Sequence, residues 1–442
     1  MTAKQMMLAA PYPDDRSTSA RWLKRLKAWL MGTPPPRRLP EPVEPVLETA
    51  ASPSFRATAD AVTQDDELPP KRMPGRFGAK NATARIIEAF DSAHPVRQRK
   101  DLHGRDDKLD TLFEAVLFSR QHAIIHGARG SGKTSLAQVF GDYADSQGAV
   151  VIYTACEATA SFAELLRPYL SFIPESAVPF AEKALFARER EALPAEFGPR
   201  HVVDLVSRLS PDSQTILILD EFDRVESEAV NSQIATLMKL LSDARVPVQV
   251  LLVGIARTLD ELILCHPSLR RHLTPIPIGR ISREDTHRLI DRGAERAQVR
   301  FDEAARAEIA SISCGSPYHV QLFCYVAAIE TVRRGGEVID LEATHRGLAR
   351  AFTIWAMLNH EDADIFDALV ADPAQPVDAV ERIAREAAVH DSFVGDEADA
   401  AIFGAAVRAD DRQATRFHFR DGAAPQFLLA KLATRERQTE AA

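Results

Sequence analysis

The sequence predicts an α/β fold: a five-stranded parallel sheet covered by helices on both faces, then an all-helical lid and a small C-terminal domain. From about residue 80, short apolar segments alternate with helical periods, which is the pattern of βαβ units in a parallel sheet. After Ser282 the strand segments stop, and helical segments follow one another to residue 358. A chain of 442 residues is long enough for two or three domains of this kind.

Composition excludes several classes of protein. Four cysteines without a CxxC pair exclude a disulfide scaffold and a four-cysteine zinc module. The sequence contains no run of about 18 apolar residues, so no membrane-spanning helix is predicted. No signal peptide is recognised either, and we therefore expect a cytoplasmic protein. The net charge of −9 argues against nucleic-acid binding by the whole surface, although a local basic patch remains open.

Residues 1–79 differ from the rest of the chain in composition, which predicts a disordered, proline-rich leader. Twelve of the 27 prolines lie there, and proline removes backbone donors that a packed domain needs. One basic amphipathic helix is predicted within it, near 20–31, with Trp22, Leu26 and Trp29 on one face. Three interpretations stay open for residues 21–31: contact with an anionic membrane surface, docking into a partner protein, or packing on the chain's own body.

The alternating region gives the predicted core, residues 80–281. Helical periods at 82–90 and 107–120 precede the first strand. The predicted strands are 122–126, 149–153, 215–219, 248–253 and 274–278. Successive helices at 282–296, 302–313, 317–333 and 341–358 give the lid, residues 282–358, and the C-terminal domain then takes residues 359–442. Within that domain a strand is predicted at 415–419, followed by a helix.

The strongest motif follows the first strand and matches GxxxxGK[ST] in full. A strand enters it and a helical segment leaves it, which is the context that a phosphate-binding loop requires. The glycines allow backbone N–H groups to surround phosphate oxygens, and the helix N-terminus adds positive charge. Lys133 is predicted to reach the β and γ phosphates, and the Thr134 hydroxyl to bind Mg²⁺. The loop, called the P-loop below, consists of Gly127, Ala128, Arg129, Gly130, Ser131, Gly132, Lys133, Thr134 and Ser135.

Two carboxylates follow the apolar strand 215–219. Ligands of open α/β sheets bind at the carboxyl ends of the strands, so Asp220 and Glu221 are predicted to lie beside the P-loop. Asp220 is expected to hold Mg²⁺, and Glu221 to orient or deprotonate an attacking water. An apolar strand ending in Asp-Glu is a weak signal alone and becomes strong downstream of a complete P-loop.

Together these motifs resemble the ATPase core of the AAA+ class, and most closely its origin-recognition-like branch. The resemblance covers about residues 78–350 and implies ATP and Mg²⁺ as ligands. The segment 102–107 is similar to the box that opens this branch near the adenine, which implies a nucleotide-binding role for Arg105. The segment 314–319 lies at the second-sensor position, which implies a similar role for Tyr318.

The resemblance also places an arginine finger before the last strand, in the segment 267–273. Arg270 or Arg271 would then reach the γ-phosphate held by a neighbouring copy, which implies a homo-oligomer formed on nucleotide binding. The alternative, that both arginines are ordinary surface residues, remains open.

Two departures from the family pattern concern the γ-phosphate. The fourth strand ends in Gly254-Ile255-Ala256, where the family usually carries Asn, Thr or Ser, and either Arg257 or Thr258 could substitute. No arginine stands at the second-sensor position, where Tyr318 or His319 is found instead. Cations of this kind are worth orders of magnitude in rate, so we expect slow basal hydrolysis.

The C-terminal end is the least specific part. The resemblance implies a winged-helix-like domain, which we expect to serve protein contact rather than DNA reading because acids dominate residues 362–411. A small basic face is still predicted from Arg412, Arg416, Arg420 and Lys431. Three classes therefore stay open: a DNA-associated ATPase, a nucleotide-dependent signalling or defence switch with little hydrolysis, and a membrane-linked partner.

Overall fold

The computed structural model describes residues 77–255, 267–372, 376–410 and 413–440. Residues 1–76 of the predicted leader, with its amphipathic helix, lie outside these ranges, as do Arg257, Thr258 and Arg412, whereas its last residues, 77–79, are helical. Residues 75–442 cluster as one unit. In the ranges described, none of the helices combines the length and apolar character needed to cross a bilayer.

The five predicted core strands form one parallel sheet. They are β1 (His122–Gly127), β2 (Val150–Ala155), β3 (Thr215–Asp220), β4 (Val248–Gly254) and β5 (Leu273–Ile278). Their order is β2-β3-β4-β1-β5, and all pairs are parallel. The predicted fold class is confirmed for this core.

Burial explains which strands occupy the centre and which the edge. Every residue of β3 and β4 is buried, as expected for strands covered by helices on both faces. Strand β5 contains Pro275 and Pro277, both exposed. Proline has no backbone N–H, so a strand with two prolines cannot form complete hydrogen-bonded ladders with a neighbour on each side. Strand β5 is accordingly an edge strand and pairs with β1 alone.

Helices precede, connect and cover the strands. They are α1 (Phe77–Ala89), α2 (Asp106–Leu112), α3 (Lys133–Ser146), α4 (Phe162–Phe172), α5 (Lys183–Glu191), α6 (Pro199–Val206) and α7 (Glu228–Ala244). A π-helical turn, Phe113–Phe118, continues α2 toward β1. Side chains of α4, α6 and α7 form one apolar core with the sheet.

The lid and the C-terminal region are mainly helical. Their helices are α8 (Arg283–Ala297), α9 (Glu303–Ser313), α10 (Pro317–Arg333), α11 (Leu341–Ala356), α12 (His360–Ala371), α13 (Val377–His390), α14 (Glu397–Phe403) and α15 (Ala424–Glu440). Both regions share a single core, in which the Trp355 ring stacks on Phe427 and Phe366 with centroids 5.1 and 5.6 Å away. Trp355 Nε1 also donates to Asp421 Oδ2 at 2.8 Å.

The expectation that strands stop after Ser282 is wrong in detail. Strands β6 (Arg300–Phe301) and β7 (Val338–Ile339) pair in parallel within the lid. Strands β8 (Phe393–Val394), β9 (Val407–Ala409) and β10 (Arg416–Phe419) form an antiparallel sheet in the order β8-β10-β9. Only β10 was predicted, because strands of two or three residues are too short to show a period. The winged-helix assignment of this region stays a prediction.

Candidate nucleotide-binding site

A cleft of about 450 Å³ lies at the carboxyl ends of the strands, and we call it the front cleft. Residues 130–135 of the P-loop line it, together with Asp220 and Glu221 after β3. Arg105 and Tyr318 also line it, from the segment before α2 and from the start of α10. The structure thus brings most of the predicted binding residues to one place.

Two positions of the P-loop require glycine for different reasons. A Cβ on Gly127 would lie 2.1 Å from the carbonyl oxygen of Ile278, so no side chain can be accommodated there. Gly132 has a φ of +91°, a left-handed conformation that favours glycine. Helix α3 begins directly afterwards at Lys133, so its free N–H groups and positive end face the cleft.

Lys133, the predicted phosphate-binding lysine, is the first residue of α3. Its Nζ donates to the carbonyl oxygens of Gly127 and Ala128, both at 3.0 Å. Burial lowers the pKa of Lys133, while Asp223, Asp391 and Asp220 oppose that shift. A half-buried ammonium whose hydrogen-bond partners among the described residues are backbone carbonyls gains by binding an anion.

The residues predicted to hold Mg²⁺ also lie together. Thr134 Oγ1 is 3.4 Å from Asp220 Oδ1, and Asp220 is 5% exposed. The second carboxylate oxygen, Oδ2, accepts a hydrogen bond from the Tyr153 hydroxyl. A hydroxyl beside a carboxylate is an all-oxygen donor pair, and Mg²⁺ bound by one or two protein groups completes its shell with water and phosphate. The side chains present therefore fit this ion.

Glu221 is placed differently from its neighbour. Its backbone has a left-handed φ of +53°, and its carboxylate is exposed. Arg224 Nη1 holds Glu221 Oε2 at 2.8 Å. The predicted base therefore lines the cleft but is paired with a cation at its mouth.

Arg105 fastens the P-loop to the end of the sheet. Its Nη2 donates to the carbonyl oxygens of Ser131, at 3.1 Å, and Gly279, at 2.6 Å, while its Nη1 donates to Gly104 O at 3.2 Å. The side chain is 5% exposed. Arg105 thus lines the cleft while its guanidinium is engaged by backbone carbonyls, which makes it a positioning residue for the loop.

The lid closes the other side of the cleft through Tyr318. A Cβ on Gly130 would lie 3.2 Å from Tyr318 Cβ, so the lid and the tip of the P-loop are in close contact. The neighbouring His319 is buried, and its Nδ1 lies 2.9 Å from Ser316 Oγ. Burial, together with the nearby Arg280, lowers the pKa of His319 to about 3. A neutral imidazole supplies no cation at the position where the resemblance predicts one.

Some predicted site residues lie away from the front cleft. Arg270 and Arg271 end a 3-10 turn, Pro267–Arg271, and both are exposed. Neither lines the cleft, nor do Gly127, Ala128 and Arg129. The outward position of the two arginines agrees with either open interpretation, finger or surface residue.

Sequence reasoning missed two contributions to this cleft. One is Tyr153 on β2, whose hydroxyl fixes the Asp220 carboxylate; a polar aromatic residue near the carboxyl end of a strand was the available signal. The other is the segment 91–96, which lines the cleft. It is tied down where Val96 N donates to Ser135 Oγ at 3.1 Å, and no motif indicated it.

Comparisons with known proteins agree with this geometry. Residues 101–253 match a family model described as an AAA ATPase domain. The predicted AAA+ resemblance and the ATP-binding, nucleotide-binding ATPase class are thereby confirmed. A search of the curated proteins finds no match to this sequence.

Several solved structures are similar to this one at low sequence identity. The Walker-type ATPase PABY2304 of Pyrococcus abyssi is 17% identical, with a TM-score of 0.46 over 77% of this chain and 99% of that chain. The Aeropyrum pernix ORC1 protein in complex with DNA is 16% identical, with a TM-score of 0.42 over 76% and 94%. The Thermotoga maritima RuvB Holliday junction branch migration motor is 14% identical, with a TM-score of 0.41 over 74% and 96%.

Proposed function

We propose that this chain, in which residues 101–253 match the model of an AAA ATPase domain, binds ATP with Mg²⁺ and hydrolyses it slowly, so that its nucleotide state controls self-assembly. The observation that carries the proposal is the meeting of Lys133, Thr134 and Asp220 in the front cleft. Lys133 supplies a cation for the terminal phosphates. Thr134 and Asp220 would hold Mg²⁺, which would supply positive charge to offset the charge that develops on the phosphate during transfer.

Slow hydrolysis is supported by how the base and the lid are arranged. Glu221 has to orient the attacking water or take a proton from it, yet Glu221 Oε2 is paired with Arg224 Nη1 at 2.8 Å. At the position where the resemblance implies an arginine, this chain carries Tyr318 and a neutral His319. Both features lower the rate without affecting nucleotide binding, because P-loop backbone groups and Lys133 provide the main phosphate contacts.

Assembly is supported by the exposed arginines before β5. Arg270 and Arg271 are exposed and do not line their own front cleft, so an arginine-finger role requires a neighbouring copy. We therefore propose a homo-oligomer that forms on ATP binding, in the cytoplasm, with one of these residues completing the neighbour's site.

A DNA-binding role receives less support from the C-terminal region. Arg420 Nη2 pairs with Asp362 Oδ1 at 2.5 Å and with Glu361 Oε2 at 3.0 Å. Lys431 pairs with Asp367 at 2.5 Å. Two members of the predicted basic face are therefore neutralised by acids and offer little to phosphates. The alternative function, a nucleotide switch with little or no hydrolysis, agrees with the same contacts.

Light scattering after size-exclusion chromatography tests the proposal. Wild type and Glu221→Gln are compared without nucleotide, with ADP, and with ATP and Mg²⁺, each with and without duplex DNA. We expect ATP alone to increase the mass, and Glu221→Gln to hold the larger form longer because it retains ATP. Glu228→Gln, an exposed carboxylate at the start of α7, is the matched control. A mass increase that occurs only with DNA would favour the DNA-associated class. An unchanged mass in every condition would exclude assembly.

A further inference from the structure

A second cavity borders the start of the P-loop, and we call it the rear cavity. Its volume is about 600 Å³. Gly127 and Ala128 of the P-loop and Ile255 after β4 line one side. Arg280, which follows β5, and Asp391, which follows α13, line it as well. The C-terminal region thus reaches the same loop whose other residues line the front cleft.

Arg280 is the unusual group in this cavity. All three nitrogens of its guanidinium are buried, and within the described residues none of them has a hydrogen-bond partner. Burial lowers the pKa of Arg280, although it remains a cation at neutral pH. Burying a charged donor without partners is costly, so such a side chain indicates a state in which an anion is bound.

Arg280 lies next to the lid. A Cβ on Gly315 would lie 3.0 Å from Arg280 Cβ and 2.4 Å from the carbonyl oxygen of Ile281. Arg280 therefore lies beside the loop that precedes α10, which is the loop where the second-sensor arginine is missing. Arg280 therefore supplies a cation beside this loop, from the segment that follows β5.

Asp391 is the acid that balances this corner. It has a left-handed φ of +61° and ends α13. Burial raises the pKa of Asp391, whereas Arg280, His418, Lys133 and Arg129 lower it. Lys133 Nζ donates to the carbonyl oxygens of Gly127 and Ala128, and both of these residues line the rear cavity together with Asp391. A terminal phosphate at Lys133 would therefore come close to the Asp391 carboxylate and repel it.

We propose that Arg280 is the residue that distinguishes ATP from ADP in this chain, by pairing with the third phosphate. Asp391 provides the opposing charge when that phosphate is missing. The inference rests on the proposed ATP binding. Because Asp391 belongs to the C-terminal region, ATP would weaken its attraction to the P-loop corner, and the contact of this region with the ATPase core then depends on the nucleotide.

Titration calorimetry with Mg²⁺ and either ADP or a non-hydrolysable ATP analogue tests this proposal. Arg280→Gln should weaken analogue binding about tenfold or more and leave ADP binding unchanged, because one charge-assisted contact is lost. Arg280→Lys should lose less. Asp391→Asn should act in the opposite direction and strengthen analogue binding a few-fold, since one repulsive charge is removed.

Arg408→Gln is the matched control, because Arg408 lines the same cavity from β9 but is exposed. It should leave both affinities at the wild-type values. The unchanged ADP affinity of Arg280→Gln shows that the variant is folded. Equal weakening of both nucleotides, or an unchanged analogue-to-ADP ratio, overturns the inference.

Inorganic phosphate separates a nucleotide phosphate from a free one. It is titrated into the ADP-bound wild type and into ADP-bound Arg280→Gln. Phosphate binding that depends on Arg280, with an unchanged analogue-to-ADP ratio, would overturn the inference in favour of a free-anion site. A wild type that binds neither nucleotide would instead contradict the proposed function, so the two failures are distinguishable.

Discussion

The two cavities that border the P-loop differ in how their buried charges are balanced. In the front cleft Asp220 accepts from Tyr153 and from the Glu221 backbone, while Arg105 and Lys133 donate to carbonyl oxygens. In the rear cavity the Arg280 guanidinium has no such partner in the part of the chain described. The front cleft is preorganised before any ligand arrives, whereas in the rear cavity the donors of Arg280 gain hydrogen-bond partners only with an added anion. Binding and discrimination are therefore assigned to different sides of one loop.

The largest effect is expected from Lys133→Ala, which removes the cation of the front cleft. Affinity for ATP with Mg²⁺ should fall by about 100-fold or more, because charge-assisted contacts to two phosphates are lost. Calorimetry measures it, with Lys108→Ala on α2 as the control. If the variant kept wild-type affinity, the rear cavity rather than the front cleft would be the main phosphate site, and the comparison would be reversed.

Glu221→Gln should separate chemistry from binding within the front cleft. Turnover, measured as phosphate release, should fall by about 100-fold or more because a general base is removed, while ATP affinity stays near wild type. Arg224→Ala should raise turnover a few-fold, since it frees the same carboxylate. A variant pair that changed affinity but not turnover would exclude Glu221 as the base.

Tyr153→Phe tests whether the front cleft depends on its preorganised carboxylate. Removing the hydroxyl takes one donor from Asp220, and groups that orient metal ligands affect metal affinity by about tenfold or more. The Mg²⁺ concentration for half-maximal turnover should therefore rise about tenfold, with little change in turnover at saturating Mg²⁺. The control is Tyr325→Phe on α10, in the lid. An unchanged Mg²⁺ requirement would show that Thr134 and Asp220 need no third partner.

The smallest effect concerns His319, which lies near Arg280. Its pKa of about 3 keeps it neutral in the folded protein, whereas the unfolded chain takes up a proton near pH 6.5. The unfolded state therefore binds more protons below pH 6.5, and stability falls as the pH decreases toward 3. At pH 5 this amounts to about 2 kcal/mol, or a few degrees of melting temperature.

His319→Gln should reduce that pH dependence. The melting temperatures of variant and wild type are compared at pH 7 and pH 5, and the difference between the two pH values should shrink by a few degrees in the variant. An identical pH dependence in both proteins would mean that His319 is protonated in the folded protein. The region around Arg280 would then carry one more positive charge than described.

The front cleft was largely predictable, because its residues belong to contiguous motifs. A complete P-loop between a strand and a helix fixes the positions of Lys133 and Thr134, and an apolar strand ending in Asp-Glu places Asp220 beside them. Every core strand was located within two residues, because each is a short, largely apolar segment bounded by helical or turn signals, and that length and those flanks favour a buried strand over a helix.

The rear cavity could not be predicted from the sequence. Arg280 and Asp391 are 111 positions apart, and only the shared core of lid and C-terminal region brings them together. Isolated Arg and Asp residues carry no pattern, and a missing hydrogen bond is invisible before packing is known. The same holds for Glu221, whose sequence position is regular but whose carboxylate pairs with Arg224 through a local left-handed turn.

The two prolines of β5 limit how copies of this chain could join. An edge strand normally exposes free N–H and C=O groups that can recruit another strand. Pro275 and Pro277 leave that border short of two donors, so a further strand cannot extend the sheet there in regular register. Any oligomer that forms on this side must therefore be joined by side chains, which can be rearranged by a ligand more easily than a continuous backbone ladder.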